Sequence, residues 1–382
     1  MFPTLSRLYA GLRAANDPQD IVVIPNADNT GDYRQSDPEL EPLVEIMSMH
    51  GNFEWFGRMY LKHGHQVGFV AASDDHLAKP GYSIPWRDTL AQKGGLAGVW
   101  AGARTNDEIF DAMRGLSTYA SSGDRMLLDF KVNDAHMGQR TPYTDERLIH
   151  GRVVGTAPIR NITVLKNDRV LWSENYDQIA ESEGAHEHLA LSFSSQSHPG
   201  EVSDNPRGWR HWHGVLRVQG AEVVTAQLVD EHNRNTQKLQ RDEKNANHFY
   251  FKTQSRGDHS SIALTLRNVS SDGHLLLELD ATTETGSAPP FLRAPKTIPG
   301  QEVTLRLSDL KSGTLQHPMP VDSFADAVEL TRTNPAAPLN VEFEFNDDTA
   351  AGHGDYYFMR VRQANEAMGW SSPIWVGGHP TR

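Results

Sequence analysis

Two carboxylates and an imidazole stand together at Asp74, Asp75 and His76, where an apolar, β-branched run over residues 67–72 ends abruptly. A buried strand of that composition delivers the three to its C-terminal end. In parallel α/β architectures the loops leaving that end converge on one crevice, where chemistry is done. Carboxylate plus imidazole is the ligand set for Zn, Mn or Fe. A pair of such ions about 3.5–4 Å apart holds a bridging hydroxide and polarises a phosphoryl oxygen. Two earlier apolar runs end in the same way: residues 21–24 open into a polar loop with Asn26 and Asp28, and residues 44–48 run into His50. Adjacent parallel strands lie about 4.8 Å apart, so side chains at their ends can meet around one or two cations. An isolated Asp after a strand more often caps or turns the backbone, and Asn26 and Asp28 taken singly read as loop residues. His50 taken alone could equally sit in a turn, and Glu45 is either an outward solvated residue or an inward functional one. The consecutive trio at a buried strand end favours a metal.

The elements that must position these groups are short. Residues 4–14 place Leu5, Leu8, Tyr9 and Leu12 at helical spacing. Asn52 can cap a helix carrying Phe53, Phe56, Tyr60 and Leu61 on one side, with Gly64 just past its end. His63 and His65 flank that end, where imidazole suits the helix dipole. Residues 95–101 read as a fourth strand, and Thr105 with Glu108 forms a capping box for a helix expected to turn Ile109, Phe110 and Met113 inward. Alternation of short strands and helices up to about Ser122 predicts a parallel sheet with crossover helices.

From Arg125 onward the pattern changes to runs of five to eight residues with period-two alternation, separated by Gly, Pro, Asn or Asp. Examples are residues 127–132, 162–166, 214–219, 223–229, 248–253, 261–266, 275–281, 341–345 and 356–361. Such spacing predicts β-sandwich structure. The expected division is 1–124, 125–205, 206–317 and 318–382, with the polar stretch 181–210 as a boundary or long excursion.

Composition narrows the partners. The 382 residues carry 36 Lys and Arg against 49 Asp and Glu, a formal charge of −13, with no basic patch to offset it for a polyphosphate backbone. Nucleic acid is therefore an unexpected partner. No run approaches the roughly 18 apolar residues of a membrane span, and no secretory signal is visible; the compartment stays open. Cysteine is absent, so a metal must be held by His, Asp and Glu. Of 18 histidines, His186, His188, His198, His259 and His274 lie in loop-like surroundings and read as surface residues.

The runs at residues 41–55, 64–83, 94–125 and 355–376 resemble the carboxy-terminal portion of a PHP-type metallohydrolase (polymerase and histidinol phosphatase superfamily), in the bacterial branch called domain of unknown function 3604. The resemblance implies a distorted β/α barrel with metals at the strand C-terminal ends, acting on phosphoesters or related esters. Asp74 and His76 match the family's late Asp-x-His metal motif, and His50 and Glu45 fall in the block before it. An early His-x-His motif has no counterpart before residues 21–24; Asn26 and Asp28 stand there instead. The expectation is thus a partial, PHP-like β/α barrel followed by a large β-sandwich-type region. Four strands cannot close a barrel, so either a second copy of the chain, as a homodimer completing the barrel, or the amino-terminal helix and the β part must cover the open sheet.

The leading functional expectation is a Zn-, Mn- or Fe-dependent hydrolase of small-molecule esters. Asp74, His76 and His50 are its catalytic and metal residues, Asp28 and Glu45 are further metal candidates, and Arg34, Arg58 or Lys79 would steady the anionic substrate. The alternatives are a degenerate, non-catalytic binding or assembly module, and a β-domain that binds carbohydrate through Trp209 and Trp212.

Overall fold

The computed structural model describes residues 4–26, 32–79, 92–177, 186–198, 208–283, 297–321, 324–349 and 351–378. The described residues are 47% strand and 12% helix, in several open sheets. Among the described residues no β/α barrel is present, and that expectation is corrected.

One small parallel unit does form. Helix α1 (Leu5–Ala15) is capped by the Thr4 hydroxyl. Strand β1 (Leu43–Ser48) turns into the two-residue β2 (Gly51–Asn52), continues into helix α2 (Glu54–Lys62), and returns as β3 (Gly68–Ala71), parallel to β1. The crossover works because Gly57 on α2 lies where a Cβ would strike Phe69 and Ile46, so the helix packs flush on the strands. Residues 21–24 form no strand; only Asn26 bridges Glu45 in parallel. Asn52 contributes its Oδ1 to the Glu54 N–H at 3.0 Å, while Phe53 occupies the cap position.

The barrel pattern then stops. Strand β4 (Leu96–Val99) pairs antiparallel with β5 (Thr118–Ser121). The two extend an eight-stranded sheet whose other members include Ile159–Lys166, Arg169–Asn175, Asp355–Gln363 and Met368–Ser371. Helix α3 (Asn106–Arg114), opened by the expected Thr105–Glu108 cap, has no buried residue, and Ile109 is exposed. A crossover helix of a barrel would bury one face; this one lies on the surface.

Period two explains how the large sheet serves two cores. Along Asp355–Gln363, Tyr357, Met359 and Val361 point into a core shared with a four-stranded sheet (Asn340–Asn346, Leu148–Val154, Leu127–Val132, Ala135–His136). Phe358 points the other way, into a core with Val44, Ile46, Phe56, Tyr60 and Phe69. Its ring stands edge-on to Phe69 at 5.5 Å. The antiparallel sheet thus covers an apolar face of the parallel unit.

A β-sandwich follows. One five-stranded sheet, centred on His186–Ser194, faces another centred on Arg210–Gln219, and Leu191, Phe193, Leu216, Ile262 and Leu277 fill the space between. The strand His186–Ser194 lies inside the stretch read as a boundary. Its histidines and serines mask the alternation, yet it pairs along its length with His259–Arg267.

Candidate metal centre

The parallel unit places three ligand side chains together. His50 follows β1 and is buried, and Asp74 and His76 follow β3. His50 Nε2 lies 3.0 Å from His76 Nε2 and 3.3 Å from Asp74 Oδ2, and His76 Nε2 lies 3.2 Å from Asp74 Oδ1. Four-coordinate ligands at about 2.0–2.1 Å from one ion stand roughly 3.3 Å from each other. The spacing of the three side chains therefore matches a set that could hold a metal ion.

The backbone is bent to bring this about. Asp74, His76 and Ala78 all adopt the left-handed region, with φ of 48°, 57° and 53°. Such residues cost of order 1 kcal/mol each and persist where the surroundings fix them. Asp74 Oδ2 accepts from the Asn26 amide at 3.1 Å, so Asn26 orients a ligand rather than serving as one. The His50 N–H donates to Ser48 Oγ, and its carbonyl accepts from Arg256 Nη1 at 2.7 Å. Arg256 is fully buried over the Phe53 ring. Arg256 arrives from the sandwich, and no local sequence signal ties it to the site. The side chain of His76 keeps 45% of its exposure, so the group is closed behind His50 and open in front. Three protein ligands and one open side is the pattern of a catalytic rather than a structural zinc-type site.

The other expected residues separate from this group. Asp28 lies outside the described residues. Glu45 bridges Asn26 through the backbone and is not one of the three converging ligands. Asp75 is buried and accepts from the Leu77 N–H. Arg34 pairs with Asp32 at 2.6 Å, and Arg58 pairs with Asp168 and Glu54; each is committed to a neighbouring carboxylate. Lys79 is exposed three residues beyond His76. His63 accepts the reading given it, with Nδ1 2.8 Å from the Met59 carbonyl in the last turn of α2. Trp209 and Trp212 are buried, and the Trp212 indole N–H donates to Ser255 Oγ. Neither offers a face to a sugar. His259 is no loop residue: it starts a strand, is half-buried, and desolvation pushes it down to about 3.

Residues 84–141 match the family described as Protein of unknown function (DUF3604). The match supports the resemblance to that family; it does not extend to PHP-type enzymes. An uncharacterized protein of Chlamydia pneumoniae is 24% identical over 184 residues, covering 40% of this chain and 29% of the relative. One of Chlamydia trachomatis serovar D is 27% identical over 123 residues, 31% of this chain and 20% of the relative. The chain thus spans less than a third of the length of these curated relatives. Among solved structures, a cohesin module from a Clostridium perfringens family 33 glycoside hydrolase aligns with 48% of this chain and 96% of its own, at 7% identity and a TM-score of 0.13. BcpA, the major pilin subunit of Bacillus cereus, aligns with 68% and 71%, at 7% identity and a TM-score of 0.12. Scores this low establish no common fold. Among the described residues no helix is long and apolar enough to cross a membrane.

Proposed function

We propose that this protein is a metal-dependent hydrolase acting on phosphoesters or related esters. The observation supporting this is the convergence of His50, Asp74 and His76 within 3.0–3.3 Å, open on the His76 side. A divalent first-row cation at such a group supplies Lewis acidity and acidifies water near neutral pH. The chain's own part is positional. Asn26 and Arg256 hold Asp74 and His50 in place, the buried rear of His50 excludes solvent, and Lys79 stands near enough in sequence to meet an anionic substrate group.

Elemental analysis of protein purified without chelators tests the reading, together with hydrolysis of chromogenic phosphate mono-, di- and triesters. About one equivalent or more of Zn, Mn or Fe is expected, with ester hydrolysis that disappears on chelation and in Asp74→Ala and His76→Ala. Less than a tenth of an equivalent of metal, with hydrolysis indifferent to chelation, overturns it and leaves the binding-module reading.

A further inference from the structure

A second polar site lies deeper in the molecule, behind Asn52. A cavity of about 70 Å³ opens where the parallel unit, the large sheet and the sandwich meet. Four carboxylates line it: Asp124, Asp230, Asp258 and Glu366. Two are neutralised in place. Asp124 pairs with Lys93 at 2.8 Å, and Glu366 takes Arg160 and Arg362 at 2.7 and 2.6 Å.

Asp230 and Asp258 have no such cation. Asp230 accepts from Ser260 Oγ, the Ser261 N–H and Gln237 Nε2, and Asp258 from the Arg256 N–H and Gln92 Nε2. Among the described residues neither forms an ion pair. Burial drives Asp230 up to about 7 and Asp258 up to about 8. The neighbouring His259 brings no compensating charge, since desolvation pushes it down to about 3.

An independent feature points to a ligand. Gln254 is 3% exposed and lines the cavity, and its Oε1 has no hydrogen-bond donor; Gln92 Oε1 also lacks one. Buried acceptors without donors cost of order 1–3 kcal/mol each, and an uncompensated buried carboxylate such as Asp230 costs more. Two carboxylates without a cation and two amide oxygens without donors in one cavity call for a single kind of guest, one that is positive and takes oxygen. Calcium does so with six to eight oxygens from carboxylates, amide carbonyls and waters.

We propose that this cavity is a site for a hard divalent cation of the calcium class, with Asp230 and Asp258 supplying its charge balance and the Gln254 and Gln92 carbonyl oxygens completing the protein's share of ligands. The site is distinct from the imidazole-containing group at His50, and it stands whether or not that group is catalytic.

Equilibrium dialysis of chelator-stripped, full-length protein against calcium chloride tests the proposal, with thermal unfolding followed in parallel. One equivalent of calcium and a rise of several degrees in Tm are expected. Both are lost in Asp230→Asn and in Asp258→Asn, and both persist in His76→Ala. Terbium in place of calcium adds a reading of location: Trp209 lines the cavity, so its excitation sensitises terbium emission, which Trp209→Phe diminishes while dialysis still finds the ion bound. Absence of stoichiometric calcium in the parent protein overturns the proposal. So does undiminished binding in both aspartate variants, or binding that disappears in His76→Ala. Should one aspartate variant fail to fold, Gln254→Leu gives the same test through weakened calcium affinity.

Discussion

The two polar sites are built by opposite means. At the candidate metal centre three side chains reach one point from two short strands, imidazole dominates, and one side chain faces solvent. In the cavity the acceptors come from segments scattered over residues 92–366, oxygen dominates, and Asp230, Gln254 and Glu366 are buried. Nitrogen donors suit Zn, Mn or Fe, and oxygen donors suit Ca or Mg. Arg256 touches both groups, its guanidinium donating to the His50 carbonyl and its backbone N–H to Asp258.

The comparison breaks most visibly at its ligands. His76→Ala is expected to remove bound Zn, Mn or Fe and to reduce ester hydrolysis by more than a hundredfold, with no change in calcium binding; a joint loss of both ions by elemental analysis would merge the two sites into one. Arg256→Met attacks the link. It leaves the His50 carbonyl without its donor inside the protein, and a destabilisation of about 2–4 kcal/mol is expected by urea unfolding, since the buried polar partners of a charged donor are orphaned. Asn26→Ala sharpens the view of the open site alone. Removing the group that orients a ligand lowers metal affinity about 10- to 100-fold, measurable by competition with a chromogenic chelator, and leaves calcium untouched.

The smallest effect is a background that would otherwise blur pH profiles of either site. Glu41 is buried, both carboxylate oxygens lack donors, and burial pushes it up to about 8. Because the folded value exceeds the unfolded one, the folded state holds a proton that the unfolded state has lost. Stability from this group is complete below pH ~4.5 and falls away as pH rises through 8. Glu41→Gln is expected to flatten the profile of Tm between pH 5 and 8.5 and to raise stability at the upper end by about 1–2 kcal/mol. An unchanged profile would mean that Glu41 finds a donor in solution.

Much of the β part was legible because period two survives wherever one face is buried. Runs such as residues 127–132 and 341–345 fall within strands, and the Thr105 cap opens α3 as read. What the chain could not reveal locally was pairing. Four residues at Leu96–Val99 look the same in a parallel barrel as in an antiparallel pair, and the choice is made by Met368–Ser371, far along the chain. The same limit applies to the sites. His50, Asp74 and His76 were visible because each ends an apolar run. Asn26 was read against the imidazole expected at its place, and its use as a donor to Asp74 follows only from the fold. Asp230, Asp258 and Gln254 have no motif, since nothing but tertiary structure brings them to one cavity.

The hydrogen bond from the Phe69 N–H to Ser372 Oγ spans 303 positions. Beside it, the Thr118 hydroxyl lies 3.0 Å from the same serine oxygen. On a ribosome adding about 5–20 residues per second, β3 and its ligand-bearing end therefore wait roughly 15–60 s for the strand that braces them. During that interval the apolar face of Phe69 lacks this brace, and the ligand-bearing end of β3 depends on a support made 303 residues later. Newly synthesised chains should accordingly need a chaperone's hold on the parallel unit more than on the sandwich.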